Sequence, residues 1–193
     1  MNPPAGTAII TPMGTVIMDA AAMRRTVGRM AHEVLEANKG AKDLVVIGVL
    51  RRGYPVAKRL AFTMTQVEGT TVPCGKIDVT SSRDDERESA KDESEIPFGV
   101  EGKNVVLVDE VIFTGRTIRA ALDALVGFGR PMSVKLAVLV DRGHRELPIQ
   151  PDFSGCVIET ERDDYIAVKL HEIEGEDEVV LVKAAEREGA VKS

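Results

Sequence analysis

The fold is decided by the stretch Val105-Val106-Leu107-Val108-Asp109-Glu110-Val111-Ile112-Phe113-Thr114-Gly115-Arg116-Thr117. Its apolar start predicts a buried parallel strand, and its end leads through a Thr-Gly-x-Thr turn into an amphipathic helix. Free backbone N–H groups at a helix start, beside two hydroxyls, suit a phosphate group. The carboxylates of Asp109 and Glu110, just upstream, suit vicinal hydroxyls or a magnesium ion. The stretch therefore predicts a site for a phosphorylated sugar.

The same residues also have a simpler interpretation. Thr114 would be an ordinary helix N-cap, and Asp109 and Glu110 would be a solvated strand end. We favour the phosphate site because the carboxylate pair, the turn and the helix occur together and in this order. The arrangement resembles the binding signature of the type I phosphoribosyltransferases, which hold phosphoribosyl pyrophosphate (PRPP).

The composition is typical of a globular protein in solution. The 193 residues, 44% hydrophobic and 29% charged, fit a single domain spanning 1–193. Neither a membrane-spanning apolar run nor a signal peptide is recognisable, and Cys74 and Cys156 belong to no Cys-x-x-Cys motif. These features predict reduced thiols and a cytoplasmic location. The three histidines lack metal-ligand spacing, so we expect no zinc site. The net charge of −6 argues against general affinity for nucleic acids, although it leaves room for a local basic patch.

Strand-like and helical segments alternate along the chain, which indicates an α/β fold with a doubly wound, mainly parallel sheet and helices on both faces. The residues 81–95 are almost wholly polar and predict a mobile loop, and the tail 184–193 is also expected to be mobile. In such a sheet ligands lie at the carboxyl ends of the strands, so loops 50–53, 110–117 and 141–148 should converge. The predicted elements are a helix capped by Asp19 and ending near Asn38, strand 44–49, helix 55–65, strand 76–80, strand 104–109, helix 116–128, strand 134–141 and a hairpin of 165–171 with 178–183.

A closer resemblance is carried by four motifs between about residues 15 and 183. They are Arg29-Met30-Ala31-His32-Glu33, Arg51-Arg52-Gly53-x-x-x-Ala57-Lys58-Arg59-Leu60, Arg83-Asp84-Asp85 and Asp141-Arg142-Gly143-His144-Arg145-Glu146-Leu147-Pro148-Ile149. Together they resemble the PyrR family, whose members regulate pyrimidine operons by binding leader RNA in response to uridine nucleotides. Many members are also uracil phosphoribosyltransferases. The resemblance implies the type I phosphoribosyltransferase fold, with a small hood and a β-hairpin beside the main sheet.

The resemblance also implies roles for single residues. Asp109 and Glu110 would bind the ribose hydroxyls, and Arg83 would reach the ligand from the loop 81–95; these three form the expected catalytic set. Magnesium would be carried mainly by PRPP, without a dedicated protein site. Phe113 stands near the base, where several relatives carry an aspartate, so no carboxylate base is expected there. The substrate-binding positions are Arg51, Arg52 and Gly53 for pyrophosphate, Thr114, Gly115, Arg116 and Thr117 for the 5′-phosphate, Phe153 and Ser154 for covering and reading the base, and Val111, Ile112, Phe113 and Arg142 beside them.

The chain departs from the family pattern at several positions. Asp109-Glu110 replaces two aspartates, and Ser81-Ser82 precedes Arg83 where the family has Leu-Tyr. In the segment 150–161, Gln150 and Cys156 replace basic residues, and Glu159 adds a negative charge. The PRPP side is thus intact while the base side and the RNA side are altered, which leaves the strength of uracil transfer open.

Two function classes follow from these observations. The first is a regulator that binds leader RNA and converts uracil and PRPP to UMP and pyrophosphate. The second is a phosphoribosyltransferase or nucleotide-sensing relative that has lost RNA binding. A solvated helix face, or a loop tied down by hydrogen bonds, would explain the basic residues equally simply. Family likeness also implies a homodimer or a higher homo-oligomer. The candidate RNA contacts are Arg25, Arg29, His32, His144 and Arg145.

Overall fold

The computed structural model describes residues 14–80 and 92–185. Arg83, most of the predicted loop 81–95 and most of the tail 184–193 lie outside these ranges. The observed elements are β1 (Thr15–Asp19), α1 (Ala20–Asn38), β2 (Leu44–Val49), α2 (Gly53–Glu68), β3 (Cys74–Ile77), β4 (Asn104–Ile112), α3 (Arg116–Leu125), a 3₁₀ turn (Val126–Phe128), β5 (Ser133–Asp141), β6 (Phe153–Val157), β7 (Tyr165–Lys169), α4 (His171–Glu174) and β8 (Glu178–Val182).

The main sheet is entirely parallel and has the strand order β3-β2-β4-β5-β6. Every residue of β2 is buried, as its unbroken apolar sequence predicts. The chain runs outward from β2 to β3, then returns to the other side of β2 and continues through β4, β5 and β6. Such a reversal opens a crevice at the carboxyl ends of the two central strands, here β2 and β4.

Helices cover both faces of this sheet, which confirms the doubly wound prediction. Val106 and Val108 of β4 pack in one core with residues of α1 and α2, whereas Val105 and Leu107 pack in a second core with residues of α3. The alternation follows from the period of two in a strand, which points successive side chains to opposite faces. The carboxyl end of β4 is therefore held between two packed layers.

The first helix begins and ends as the sequence predicts. Asp19 caps α1, since its side chain accepts a hydrogen bond from the Ala22 N–H at 2.7 Å. Lys39 ends it with a left-handed backbone at φ 58°, and the Gly40 N–H returns to the Leu35 carbonyl at 2.8 Å.

A small antiparallel sheet of order β1-β8-β7 forms the hood beside the main sheet. The predicted hairpin is present as β7 and β8, with the short helix α4 between them. The strand β1 was not predicted, because its partner β8 lies at the other end of the described chain and pairs Thr15 with Leu181. Long-range pairing of this kind leaves no local signal in five residues.

Several predicted boundaries differ from the observed ones; among the smaller shifts, β4 runs to Ile112 rather than 109, α2 to Glu68 rather than 65, and β7 ends at Lys169 rather than 171. Helix α2 begins at Gly53 rather than Pro55, because a proline in the first turn lacks only an N–H that has no helical partner. Strand β3 is Cys74–Ile77 rather than 76–80, since Asp78 then turns the chain by accepting a hydrogen bond from the Thr80 N–H at 2.9 Å. Helix α3 ends at Leu125, and the predicted remainder to Phe128 is the 3₁₀ turn.

Candidate active site

The predicted convergence of the loops after β2, β4 and β5 is confirmed. The Thr114 carbonyl accepts hydrogen bonds from the Glu146 and Leu147 N–H groups at 3.0 and 3.3 Å. The Arg142 N–H donates to the Ile112 carbonyl at 3.2 Å. On the other side, a Cβ added to Gly53 would stand 2.5 Å from the Val108 carbonyl oxygen, so the loop after β2 touches the end of β4.

The loop after β4, Arg142 of the loop after β5 and part of the hood line a cavity of about 590 Å³ at the carboxyl edge of the sheet. A cavity of this size holds a small-molecule ligand. Its walls contain the whole predicted stretch from Asp109 to Thr117, together with residues 162–166, which run into the first two residues of β7. The lining residues are Asp109, Glu110, Val111, Ile112, Phe113, Thr114, Gly115, Arg116, Thr117, Ile118, Arg142, Arg162, Asp163, Asp164, Tyr165 and Ile166.

One wall of the cavity has the features of a phosphate site. Helix α3 starts at Arg116, directly after Gly115, whose φ of 91° strongly favours glycine. The N–H groups of the first turn have no helical acceptors, and that of Arg116 donates to the Thr114 hydroxyl at 3.4 Å. The half-buried hydroxyls of Thr114 and Thr117 flank this turn. The structure therefore brings the helix start and both hydroxyls of the predicted turn 114–117 to one wall of the cavity.

The carboxylate pair lies at the end of β4 beside this turn. Asp109 is only 5% exposed, and its Oδ1 accepts a hydrogen bond from the Glu110 N–H at 3.0 Å. Glu110 is half-buried. A buried carboxylate oxygen can accept hydroxyl hydrogen bonds in a partly dry environment, where such bonds are strong.

The opposite wall is built around the Phe113 ring. The Arg142 guanidinium carbon stands 4.1 Å from the ring centroid, and the His144 ring meets it edge-on at 5.7 Å. Arg142 is 6% exposed and donates to the carbonyls of Glu161 and Arg162 at 3.0 and 3.2 Å. Burial lowers the pKa of Arg142. The arginine thus fixes the loop that precedes the hood strand β7.

Glu146 bridges two arginines that line the cavity. Glu146 accepts a hydrogen bond from Arg116, at the start of α3, at 3.0 Å. It also forms an ion pair with Arg162, in the loop 162–166 at the edge of the hood. Hydrogen bonds from Arg162 and then Arg116 hold the pKa of Glu146 below its usual range. The hood residues 162–166 were missed from the sequence. Their signal was a charged run, Arg162-Asp163-Asp164, immediately before a strand.

The loop after β2 brings Arg51, Arg52 and Gly53 to the same edge of the sheet. Arg51 is 79% exposed at its side chain and stands 3.9 Å from Glu93. Arg52 donates to Glu174 in the hood at 2.6 Å. Its Nε is buried and finds no hydrogen-bond acceptor within residues 14–80 and 92–185. A buried donor left unmatched favours an incoming acceptor.

Phe153 and Ser154, predicted to cover and read the base, do not line this cavity. Phe153 is 8% exposed and packs in the core at the amino end of β6, where it pairs with Ala137. It lines a separate cavity of about 190 Å³ with Asn104 and Ser133. A ligand at the carboxyl ends of parallel strands is out of reach of an amino-end residue. Residues 162–166 line the larger cavity, whereas Phe153 and Ser154 do not.

The candidate RNA contacts differ in exposure. Arg25 and His32 are exposed on α1, while Arg29 donates to Glu33 at 2.5 Å and to the Gly155 carbonyl at 2.6 Å. The His144 Nε2 lies 2.7 Å from the Thr160 carbonyl oxygen. Arg145 is 11% exposed at its side chain. It donates to Asp141 and to the carbonyls of Phe113, Gly143 and Ile149.

These contacts agree with the interpretation that His144 and Arg145 tie down their loop. Contact with RNA stays a prediction for the five residues. Two further findings concern metal ligands and membrane spans. Within the described ranges, no three histidine, cysteine or acidic residues lie together as metal ligands. None of the helices in residues 14–80 and 92–185 is long and apolar enough to span a bilayer.

Comparison with known proteins identifies a family for this fold and site. Residues 15–173 match the phosphoribosyl transferase domain. A bifunctional protein PyrR from Pelotomaculum thermopropionicum is 50% identical over 174 residues, which is 88% of this chain and 96% of the relative. A bifunctional protein PyrR from Thermus thermophilus is 51% identical over 178 residues, 90% of this chain and 97% of the relative.

Solved structures with low sequence identity share the fold. A hypoxanthine phosphoribosyltransferase of Trypanosoma cruzi superposes with a TM-score of 0.67 at 19% identity, covering 88% of this chain and 96% of that structure. A hypoxanthine-guanine phosphoribosyltransferase from Bacillus anthracis superposes with a TM-score of 0.66 at 21% identity, covering 86% of this chain and 96% of that structure. At these identities the likeness concerns the fold alone.

Proposed function

Because the chain belongs to the PyrR family of phosphoribosyltransferases, we propose that it transfers the phosphoribosyl group of PRPP to uracil and regulates pyrimidine genes by binding leader RNA. The products of the transfer are UMP and pyrophosphate. One observation carries the proposal: a single cavity joins a carboxylate pair, Asp109 and Glu110, to a phosphate-binding helix start at Thr114–Thr117. The family match extends over this whole cavity.

In the proposed complex the 5′-phosphate lies at the start of α3. Backbone N–H groups and the hydroxyls of Thr114 and Thr117 bind its oxygens, and the helix dipole favours the negative charge. Asp109 and Glu110 accept hydrogen bonds from the 2′- and 3′-hydroxyls of the ribose. The ribose is then fixed at two points, so that its C1′ faces both the leaving pyrophosphate and the base.

Bond cleavage leaves positive charge on the ribose ring and negative charge on pyrophosphate. The carboxylates beside the ribose stabilise the first charge, and Arg52 with the loop 50–53 stabilises the second. Arg83, which lies outside the described residues, is proposed to add a further positive charge on the pyrophosphate. Exclusion of water by the bound substrate strengthens each of these interactions.

Magnesium fits this site as a partner of the substrate. Asp109 and Glu110 are hard oxygen donors, whereas a set of three such ligands is not found among the described residues. A magnesium ion bound by PRPP would meet these two carboxylates directly or through water. When bound, it supplies positive charge at the diphosphate.

The base is proposed to bind under the hood rather than at Phe153. The cavity wall there consists of Phe113, Arg142 and the loop 162–166. The Phe113 ring supplies an apolar face for a planar base, and Arg142 keeps the hood loop in position through its carbonyl contacts. The loop 162–166 directly follows the altered segment 150–161. We therefore expect the departures in that segment to affect the rate of transfer to uracil more than the binding of PRPP.

RNA binding is proposed for the exposed face of α1. Arg25 and His32 are exposed there, and Arg29 links the face to β6 through the Gly155 carbonyl. A protein of net charge −6 has no general attraction for polyanions, so selective affinity requires such a local cluster. A symmetric dimer, proposed from family likeness, would place two such faces on one RNA-binding unit.

The proposed substrate and the nascent transcript are both found in the cytoplasm, where we propose that the protein works. Cys74 and Cys156 are free thiols, as a reducing compartment allows. We also propose that residues 1–193 form a single domain and that the hood is part of it.

The transfer is tested by uracil-dependent release of pyrophosphate from PRPP in the presence of magnesium. We expect turnover with uracil and none with hypoxanthine or orotate. Turnover with a purine or with orotate, and none with uracil, would overturn the pyrimidine assignment.

RNA binding is tested separately, by filter-binding titration of pyrimidine leader RNA with and without UMP. We expect UMP to raise the affinity for leader RNA over that for a scrambled control. Equal affinity for both RNAs with UMP present would leave the second function class, a phosphoribosyltransferase without RNA binding. The losses of basic side chains at Gln150 and Cys156 favour that alternative.

A further inference from the structure

A polar contact joins the loop after β2 to the hood. Glu174 is the last residue of α4, and its Oε1 accepts a hydrogen bond from Nη2 of Arg52 at 2.6 Å. Its Oε2 accepts a second hydrogen bond from the Leu170 N–H at 2.8 Å. Both oxygens are therefore held, and only 24% of the side chain is exposed.

The turn that carries Glu174 is itself anchored on α2. Arg59 donates to the two oxygens of Glu172 at 2.9 and 2.5 Å and to Asp177 at 2.6 Å. The same Asp177 oxygen accepts from the His171 N–H at 2.8 Å. Because α2 also begins directly after Arg52, one rigid helix sets the distance between the arginine and its carboxylate partner.

The contact leaves part of the Arg52 guanidinium unused. A guanidinium has five N–H donors in one plane, and Glu174 takes a donor of Nη2. Nε is buried, and the described part of the chain offers it no acceptor. The Arg52 side chain is nevertheless 41% exposed, so its remaining Nη donors can meet a second anion while Glu174 keeps the plane fixed. Arginine suits such two-sided binding because its donors diverge from a rigid group.

We infer that Glu174 is a positioning residue, which orients Arg52 so that its free edge meets the pyrophosphate group of PRPP. The inference rests on the proposed function, since PRPP is the ligand proposed for the loop 50–53. Without Glu174 the guanidinium would sample several rotamers, and the ligand would have to order it at a cost in affinity. UMP lacks the pyrophosphate, so its binding does not depend on this orientation.

The test is calorimetric titration of Glu174→Ala with PRPP and, separately, with UMP, both in the presence of magnesium. We expect the dissociation constant of PRPP to rise about tenfold, as the loss of a well-ordered charge-assisted hydrogen bond implies. The dissociation constant of UMP should stay at the wild-type value. A variant that merely loosened the hood would weaken both ligands, because hood residues line the shared cavity.

A double-mutant cycle separates action through Arg52 from any other effect. In an Arg52→Ala background, Glu174→Ala should cause no further loss of PRPP affinity. The matched control is Glu176→Ala, which removes an ion pair with Lys169 on the same turn and has no contact with Arg52. It should bind both ligands like the wild type.

Three results would overturn the inference: wild-type PRPP affinity in Glu174→Ala, equal weakening of PRPP and UMP, or losses that add in the double variant. A wild-type protein that binds neither PRPP nor UMP would instead remove the proposed function. The two failures are therefore distinguishable in one set of titrations.

Discussion

Replacement of Gly53 by alanine tests the geometry on which the candidate site depends. A Cβ at this position would lie 2.5 Å from the Val108 carbonyl oxygen, 3.0 Å from the Asp109 Cα and 3.2 Å from the Asp109 Oδ1. Two of these atoms belong to the backbone of β4, which is buried between two layers and cannot yield locally. The loop 50–53 and the start of α2 must move instead.

The size of the effect follows from these distances. The loop must retreat by roughly 1 Å before the new methyl group reaches an ordinary non-bonded separation from the carbonyl oxygen. Overpacking of this kind lowers the free energy of unfolding by about 1–3 kcal/mol. A displacement of about 1 Å between Arg52 and Asp109 also separates the two ends of the proposed PRPP site, which is expected to lower the transfer rate on the order of a hundredfold.

The measurements are urea unfolding and uracil-dependent pyrophosphate release by the folded variant. The matched control is Gly28→Ala on α1, where an added Cβ meets nothing within 4 Å. Alanine in a helix interior should raise the free energy of unfolding there by about 0.5–1 kcal/mol and leave the transfer rate unchanged. A Gly53→Ala variant as stable and as active as the wild type would refute the close approach of α2 and β4.

Three further predictions concern the turn at 114–117, the exposed face of α1 and the hood. Replacing Thr114 and Thr117 together by alanine should weaken UMP binding by about 1–3 kcal/mol in calorimetry, because two hydroxyl donors to the phosphate are lost; unchanged affinity would exclude the phosphate site. Replacing Arg25 and His32 by alanine should reduce affinity for leader RNA and flatten its dependence on salt, while UMP affinity stays constant; these side chains are exposed, so the loss would not come from broken internal contacts. Hydrogen bonds from Arg59 hold the pKa of Glu172 below its ordinary value of 4.5. Glu172 therefore stabilises the fold fully above that value and loses its contribution as the pH falls through the lowered pKa, so the stability gap between wild type and Glu172→Gln should close in acid. A gap that persists below the lowered pKa would contradict the ion pair.

The parts of the fold that follow from local patterns were predictable. Strand β2 is apolar and buried throughout, and β4 and β5 have the apolar buried runs 105–108 and 136–140, while the residues that follow these runs carry the charged and hydroxyl side chains. Since parallel strands share one carboxyl edge, the meeting of loops 110–117 and 141–148 followed from the alternation of elements alone. Within the site, the helix start after Gly115 was marked by its own turn residues.

The parts set by distant contacts were not predictable. The hood loop 162–166 reaches the cavity because Arg142 holds its carbonyls, and no local pattern announces that link. Conversely, Phe153 aligns with the family's base-side segment, but the register of β6 with β5 puts it at the amino end of the sheet. A family resemblance aligns a whole segment, whereas the strand register decides which residues of that segment lie at the cavity.

The order of strands in the small sheet has a consequence for synthesis on the ribosome. Strand β8 is the middle strand, so β1 and β7 have no shared partner until Glu178–Val182 has left the exit tunnel. The main sheet, whose strands all lie between residues 44 and 157, can form earlier. During that interval β1 is an unpaired edge able to join another chain. By this order the proposed phosphate-binding turn can form before the hood residues 162–166 are fixed beside it, so the lining of the cavity is complete only after β8 has emerged.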